Sequence, residues 1–239
     1  MTALVLGIDS GLDGAFAWHY GGRILGQLAT RQFLDPERRL DFGTIREWVQ
    51  LMGAKLPDAP RAAFIEEPFA PPGRERGVMG SWRRFGQLES LLWTLGYEVV
   101  GVQAKTWQRE LLDLARFEVR TERPCKPRLA EGWTLKATIA AGAFAWSLRN
   151  GGRVFIYNRQ EGQKRADAIE GLSVTRDDCT VSVKTVVSHD TKAASIAYVR
   201  EHFPDLNLVP PRARNPHDGL ADAVCIAVWG SRQIKETSP

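Results

Sequence analysis

Four carboxylates stand where their neighbours give them little structural reason to be. Asp9 ends the apolar run Leu4-Val5-Leu6-Gly7-Ile8, and Glu66 ends the run Ala62-Ala63-Phe64-Ile65. Asp218 and Asp222 are four residues apart, which puts both on one face of a helix about one turn apart. Asp222 is set among Ala221, Ala223, Val224, Cys225 and Ile226, where an unpaired acid is expensive. If the two strands are neighbours, all four acids can meet in one cluster. Like charges held together at the edge of a core repel, so such a cluster generally persists with a cation between its members. Hard oxygen donors without His or Cys favour magnesium, with manganese as a substitute, over zinc. A pair of such ions can activate a water and stabilise the leaving oxygen of a phosphodiester. Singly, each acid has a plainer reading: Asp9 a turn with Ser10 and Gly11, Glu66 a solvated strand end with Glu67 equally eligible, Asp218 a first-turn acid favoured by the helix dipole. Only the set points to phosphodiester hydrolysis.

The elements that must position these acids follow from periodicity. Residues 3–8 read as a buried strand, and 15–18 and 23–29, separated by Gly21-Gly22, as a hairpin, so the chain opens with a three-strand meander. Ile45, Trp48, Val49 and Met52 give 42–52 helical spacing, and 62–65 is a second apolar strand. A glycine- and arginine-rich loop is predicted over 71–84, then a helix over 85–95 and a strand over 99–102. Asp190 is an N-cap for a helix that Pro204 stops, 206–209 a last short strand, and Asn215-Pro216 the start of a helix reaching Trp229. Strands that pair antiparallel and then alternate with helices imply an α/β fold: a mixed sheet, antiparallel meander then parallel strands, flanked by helices. Residues 113–188 break the rhythm with a basic proline-broken stretch, a helix-like apolar segment at 135–148 and two β-like runs at 154–157 and 180–187. The expected organisation is therefore 1–112 with 189–235 as one domain, and 113–188 as an inserted basic subdomain.

Bulk composition narrows the partners. The 239 residues are 44% hydrophobic, enough for one substantial core, and 32 Lys and Arg against 28 Asp and Glu give +4 and a pI near 9.1, compatible with a nucleic-acid partner. Cys125, Cys179 and Cys225 show no metal-ligand or disulfide spacing. The run from Met1 straight into the first strand predicts no targeting leader, and the longest mostly apolar stretch, 137–148, is too short to span a bilayer. The expectation is a soluble intracellular protein with no membrane contact.

Gly7-Ile8-Asp9-Ser10-Gly11, Ile65-Glu66-Glu67-Pro68-Phe69 and His217-Asp218-Gly219-Leu220-Ala221-Asp222-Ala223 resemble the active-site segments of RuvC-type Holliday-junction resolvases, most closely the phage and organellar branch. The resemblance covers about residues 3–112 and 189–231. It implies an RNase H-like fold, a homodimer, and cleavage of four-way DNA junctions with two magnesium ions held by Asp9, Glu66, Asp218 and Asp222. It also implies a cytoplasmic or nucleoid-associated setting and is compatible with a phage origin. Lys105, in Gln103-Ala104-Lys105-Thr106-Trp107, and Lys192, in Asp190-Thr191-Lys192-Ala193-Ala194-Ser195, stand where that family places basic residues near DNA. Three features depart from the pattern: Ser10 in place of a proline, helix acids four apart where bacterial members often have three, and the 113–188 insertion.

Basic residues flank the acids. Arg74, Arg76, Arg83 and Arg84 face only Glu75, and 116–128 holds five basic residues against Glu118 and Glu122, so each stretch is net +3, as flanking DNA phosphates require. Phe69 is a candidate to stack on an exposed base, with a core role the competing reading. A homodimer interface is expected on the helix 85–95, where Leu88, Leu91, Leu92 and Leu95 form an apolar stripe. Three other functions share some of these features: another RNase H-like nuclease acting on flaps or RNA/DNA hybrids, an actin-like ATP-dependent kinase, and a non-catalytic junction-binding protein.

Overall fold

The computed structural model describes residues 2–37, 39–69, 75–124, 128–129, 133–140, 143–148, 154–158, 179–180, 183–210 and 213–237. The chain divides into two compact units, Met1–Phe117 with His189–Pro239, and Glu118–Ser188. The break falls after Phe117 rather than at 112, because Leu114 and Phe117 pack against the first unit's core.

In the first unit β1 (Leu4–Asp9), β2 (Ala15–Tyr20), β3 (Arg23–Ala29), β4 (Arg61–Glu66) and β5 (Glu98–Val102) form one sheet in the order β3-β2-β1-β4-β5. The β1/β2 and β2/β3 pairs are antiparallel, and β1/β4 and β4/β5 parallel. This is the RNase H-like mixed sheet, with helices on both faces. Strand alternation divides the core: Val5, Ala62 and Phe64 point to the face covered by α5 (Asp218–Thr237), while Leu4, Leu6, Ile8, Ala63 and Ile65 pack with α1 (Phe42–Ala54) and α2 (Glu75–Thr94). α3 (Ala104–Leu111) and α4 (Thr191–His202) complete the α5 side. No helix among the described residues is long and apolar enough to cross a membrane.

Several local expectations are corrected. α2 begins at Glu75, so Arg83 and Arg84 lie on a helix and not in a loop. Its leucines serve the monomer: Leu88 and Leu92 are fully buried and Leu91 and Leu95 pack beside them, which removes that stripe as a dimer interface. Residues 206–209 form no strand; the Asn207 side chain accepts from Val209 N and its carbonyl from Gln27, so these backbone groups bond outside any ladder. α5 starts at Asp218 with His217 Nδ1 accepting from Leu220 N at 3.2 Å, two residues later than the Asn215-Pro216 start.

The second unit is β-rich. β8 (Trp133–Ala140), β9 (Ala143–Leu148) and β10 (Val154–Asn158) form an antiparallel sheet, and β6 (Glu118–Pro124) pairs with β12 (Val183–His189), β7 (Arg128–Leu129) with β11 (Cys179–Thr180). The segment 135–148, expected to be helical, instead has 135–140 and 143–148 in two strands, with Leu135 opposite Trp146. Aromatic and β-branched residues such as Trp133, Thr134, Thr138 and Phe144 favour the pleated pairing over the helical reading of an alanine-rich run.

Candidate active site

Parity and register bring the strand acids together. Ile8 lies opposite Ile65 in the parallel β1/β4 pair, so the next residues, Asp9 and Glu66, end neighbouring strands at the same level. Both continue the alternation that faces α5, whereas Glu67 turns the other way, against Gly101 and Phe85. α5 can supply its acids to this edge because its backbone lies directly on β1. A Cβ on Gly7 would stand 2.2 Å from the Ala223 carbonyl oxygen, and one on Gly219 would stand 2.5 Å from the Asp13 carbonyl oxygen.

Electrostatics record how closely the four acids share this edge. Burial raises Glu66 to about 8, with the charges of Asp9 and Asp222 adding to the rise and a hydrogen bond from Trp107 opposing it. Asp222 is raised to about 7 by burial, opposed by the Ser195 hydroxyl and reinforced by Asp9 and Asp218. Asp9 is raised by burial and by Asp218, although Gly11 N donates to its Oδ1 at 3.0 Å. Asp218 behaves differently: partial burial would raise it, but the Lys192 ammonium, ion-paired to it, holds it below the usual carboxylate range.

Lys192, expected as a DNA contact, is therefore part of the acid cluster, and its charge is felt by Asp9 and Asp222 as well. No three His, Cys, Asp or Glu side chains among the described residues stand in an arrangement that could hold a metal ion. The donor chemistry nevertheless suits one. All four donors are hard carboxylate oxygens, and Asp222 Oδ1 is buried with no hydrogen-bond partner among the described residues, an open valence a cation would fill.

Sequence reasoning missed the groups that hold the acids. Buried Trp107 donates from Nε1 to Glu66 Oε2 at 3.0 Å. Ser10 Oγ donates to the Glu66 carbonyl oxygen at 2.9 Å, tying the ends of β1 and β4. Fully buried Ser195 stands beside Asp222. Trp107 and Ser195 lie inside the two segments singled out for their lysines. A buried indole needs a partner, and for Trp107 that need was the available signal; the Ser195 hydroxyl donates to the Thr191 carbonyl oxygen at 2.9 Å within its own helix.

The remaining sequence candidates surround this edge unevenly. Phe69 is 70% exposed, which removes the core reading, and Lys105 Nζ lies 5.7 Å from its ring centroid. Arg83 is exposed and Arg84 half-buried on α2. Arg74 and the side chain of Arg76 lie outside the described residues.

No family model matches this chain, and no curated protein matches it. Among solved structures, T. thermophilus RuvC in complex with a Holliday junction substrate is similar over 98% of this chain and 96% of that one, at 14% identity and a TM-score of 0.46. The RNase H-like fold of this chain rests on its own strand order and register.

Proposed function

We propose that this protein is a divalent-metal-dependent endonuclease that cuts branched DNA, with four-way junctions as its main substrate. The observation that carries this reading is the meeting of Asp9, Glu66, Asp218 and Asp222 at one sheet edge, with three of them raised by burial and mutual repulsion. Such a site holds its full charge at neutral pH only when a cation compensates it. Asp9, Glu66, Asp218 and Asp222 would hold magnesium or manganese, with Lys192 released from Asp218 toward the substrate phosphates. Bound there, the metal supplies an activated water and charge compensation for the leaving oxygen.

The chain's own groups do the rest. Trp107 fixes the Glu66 carboxylate, so this ligand keeps its orientation as the charge changes. Phe69 and Lys105 form an exposed pair suited to an unstacked base and its phosphate. The basic 118–188 unit adds electrostatic hold on the arms. A junction has two strands to cut, which a two-fold homodimer with two sites meets directly; on α2 the solvent-facing Met79, Trp82 and Trp93, which are 68%, 45% and 74% exposed, replace the buried leucines as the candidate contact.

Labelled four-way junction, linear duplex, flap and RNA/DNA hybrid, each incubated with magnesium or with chelator, test this. Paired nicks on the junction alone, lost with chelator, are expected. Equal cutting of flaps or hybrids would leave a nuclease of another preference, and no cutting of any substrate would remove the reading.

A further inference from the structure

Close to the acid edge, and distinct from it, the same unit holds a cavity of about 600 Å³, within the range of small-molecule sites. Leu12, Leu40 and Phe42 give it apolar lining, and Arg83, Arg84 and Gln87 of α2 line it as well. Leu12 is three residues from Asp9, so their Cα atoms are at most roughly 11 Å apart. That distance spans at most about three nucleotides along one strand of a stacked duplex.

The charges in the cavity sort into used and unused. Asp35 is paired with Arg39 Nε at 2.9 Å, and Asp41 caps α1, accepting from Gly43 N at 3.0 Å and Thr44 N at 3.2 Å. Arg83 and Arg84, by contrast, have no acidic partner among the described residues. Arg84 donates from Nη2 to Ser81 Oγ at 2.9 Å, while its buried Nε has no partner among the described residues. The open cationic capacity is therefore two guanidiniums beside an apolar wall. Two guanidiniums suit a phosphodiester group, and an apolar wall with one amide suits a base.

We infer that this cavity receives one unstacked nucleotide of the bound DNA strand, with its phosphate on Arg83 and Arg84 and its base against Leu12, Leu40 and Phe42. This rests on the nuclease reading for its strand, and it adds a base-reading subsite beside the acids. The base is what discriminates: a strand without bases keeps the arginine contacts and loses the wall.

The test uses the full chain in chelator and fluorescence anisotropy with a labelled single-stranded oligonucleotide and its fully abasic counterpart. Wild type is expected to prefer the base-bearing strand by about tenfold or more. Leu12→Trp, which fills the cavity, should cut that preference several-fold, leaving only what stacking on Phe69 supplies. Arg83→Gln, at an exposed position that leaves folding intact, should weaken both strands by about tenfold, as loss of a charged phosphate contact does. Equal affinity of wild type for the two strands, or an unchanged preference in Leu12→Trp, overturns the proposal. So does displacement of the strand by micromolar free nucleoside monophosphate, which would assign the cavity to a free nucleotide. Junction cleavage with magnesium is read separately: cleavage without base preference sinks the subsite alone, and base preference without cleavage sinks the nuclease reading alone.

Discussion

On one face of the central sheet, α5 lies mostly on small residues: Val5, Ala15, Ala17 and Ala62 pack beneath it, Gly7 lets backbone meet backbone, and Phe64, a large strand side chain, stands edge-on to Trp229. On the other, Phe16, Trp18, Phe33, Trp48 and Tyr97 interlock, with Phe16 and Phe33 centroids 5.2 Å apart and Trp18 5.8 Å from Tyr97. The same strands supply both faces, one residue apart. All four clustered acids belong to the small-residue face. Close backbone contact fixes Asp218 and Asp222 relative to Asp9 to within a fraction of a side chain, whereas bulky rings fill volume and tolerate adjustment. Position is built where backbone meets backbone on one side, and interlocked rings fill the other.

The sharpest way to break this division is to change adjacent residues that face opposite ways. Glu66→Gln should lower junction cleavage more than about a hundredfold, as loss of a metal ligand does, with junction binding retained. Glu67→Gln, one position along and turned toward Gly101 and Phe85, should cut at close to the wild-type rate. Comparable losses in single-turnover assays would mean that strand parity does not select the acting carboxylate.

Next in size is a contrast in stability. Gly7→Ala adds one methyl that must stand 2.2 Å from the Ala223 carbonyl oxygen, and α5 has to lift; a loss of about 3 kcal/mol is expected. Trp18→Phe removes far more volume but also a buried Nε1 with no partner among the described residues, so its cost should stay near 1–2 kcal/mol. Urea denaturation of both variants decides it. If Trp18→Phe is the more damaging, the small-residue face is not the less forgiving one.

A smaller effect separates the faces by pH. Burial pushes Glu66 up to about 8 and Asp222 up to about 7 in the folded chain, against about 4 for an ordinary carboxylate. Their contribution to stability is therefore complete below about pH 4 and is lost as pH rises through the folded values, because the unfolded chain ionises first. Metal-free wild type should lose on the order of 5 °C in Tm between pH 6 and 8 relative to a Glu66→Gln, Asp222→Asn double variant. Parallel melting curves for the two proteins would show that the acids are not strained by burial.

What the sequence made legible was whatever repeats with a short period. Two-residue alternation places Asp9 and Glu66 on one face and Glu67 on the other, and a four-residue step aligns Asp218 with Asp222. Contacts without a period were illegible: Lys192 meets Asp218 from a different helix, and nothing local in Thr191-Lys192-Ala193 announces it. The start of α2 was hidden by Gly77 and Gly80, residues that read as loop until the apolar spacing of Leu88 and Leu92 draws the helix onto the sheet. Residues 135–148 misled for the opposite reason, since a run of alanine and leucine carries no periodicity strong enough to separate helix from strand.

The smallest expected effect tests whether the acid edge depends on its supports as well as its ligands. Trp107 is fully buried and gives its only polar atom to Glu66 Oε2. Trp107→Phe keeps most of the ring packing and removes that donor, so Glu66 loses the one hydrogen bond opposing its raised pKa. Two consequences follow with the same sign. The Glu66 pKa should move further up, because the bond stabilises the charged form, and the alkaline shift should appear in the rising limb of the cleavage pH profile. Metal affinity should fall by about tenfold, as with other groups that orient a ligand, measurable by manganese titration without any turnover. A purely structural tryptophan predicts something else: lower thermal stability with an unmoved pH profile and unmoved manganese affinity. Rescue of cleavage at high pH and high manganese would therefore identify the indole as a positioning group for Glu66, and failure of rescue in a folded variant would reduce it to core.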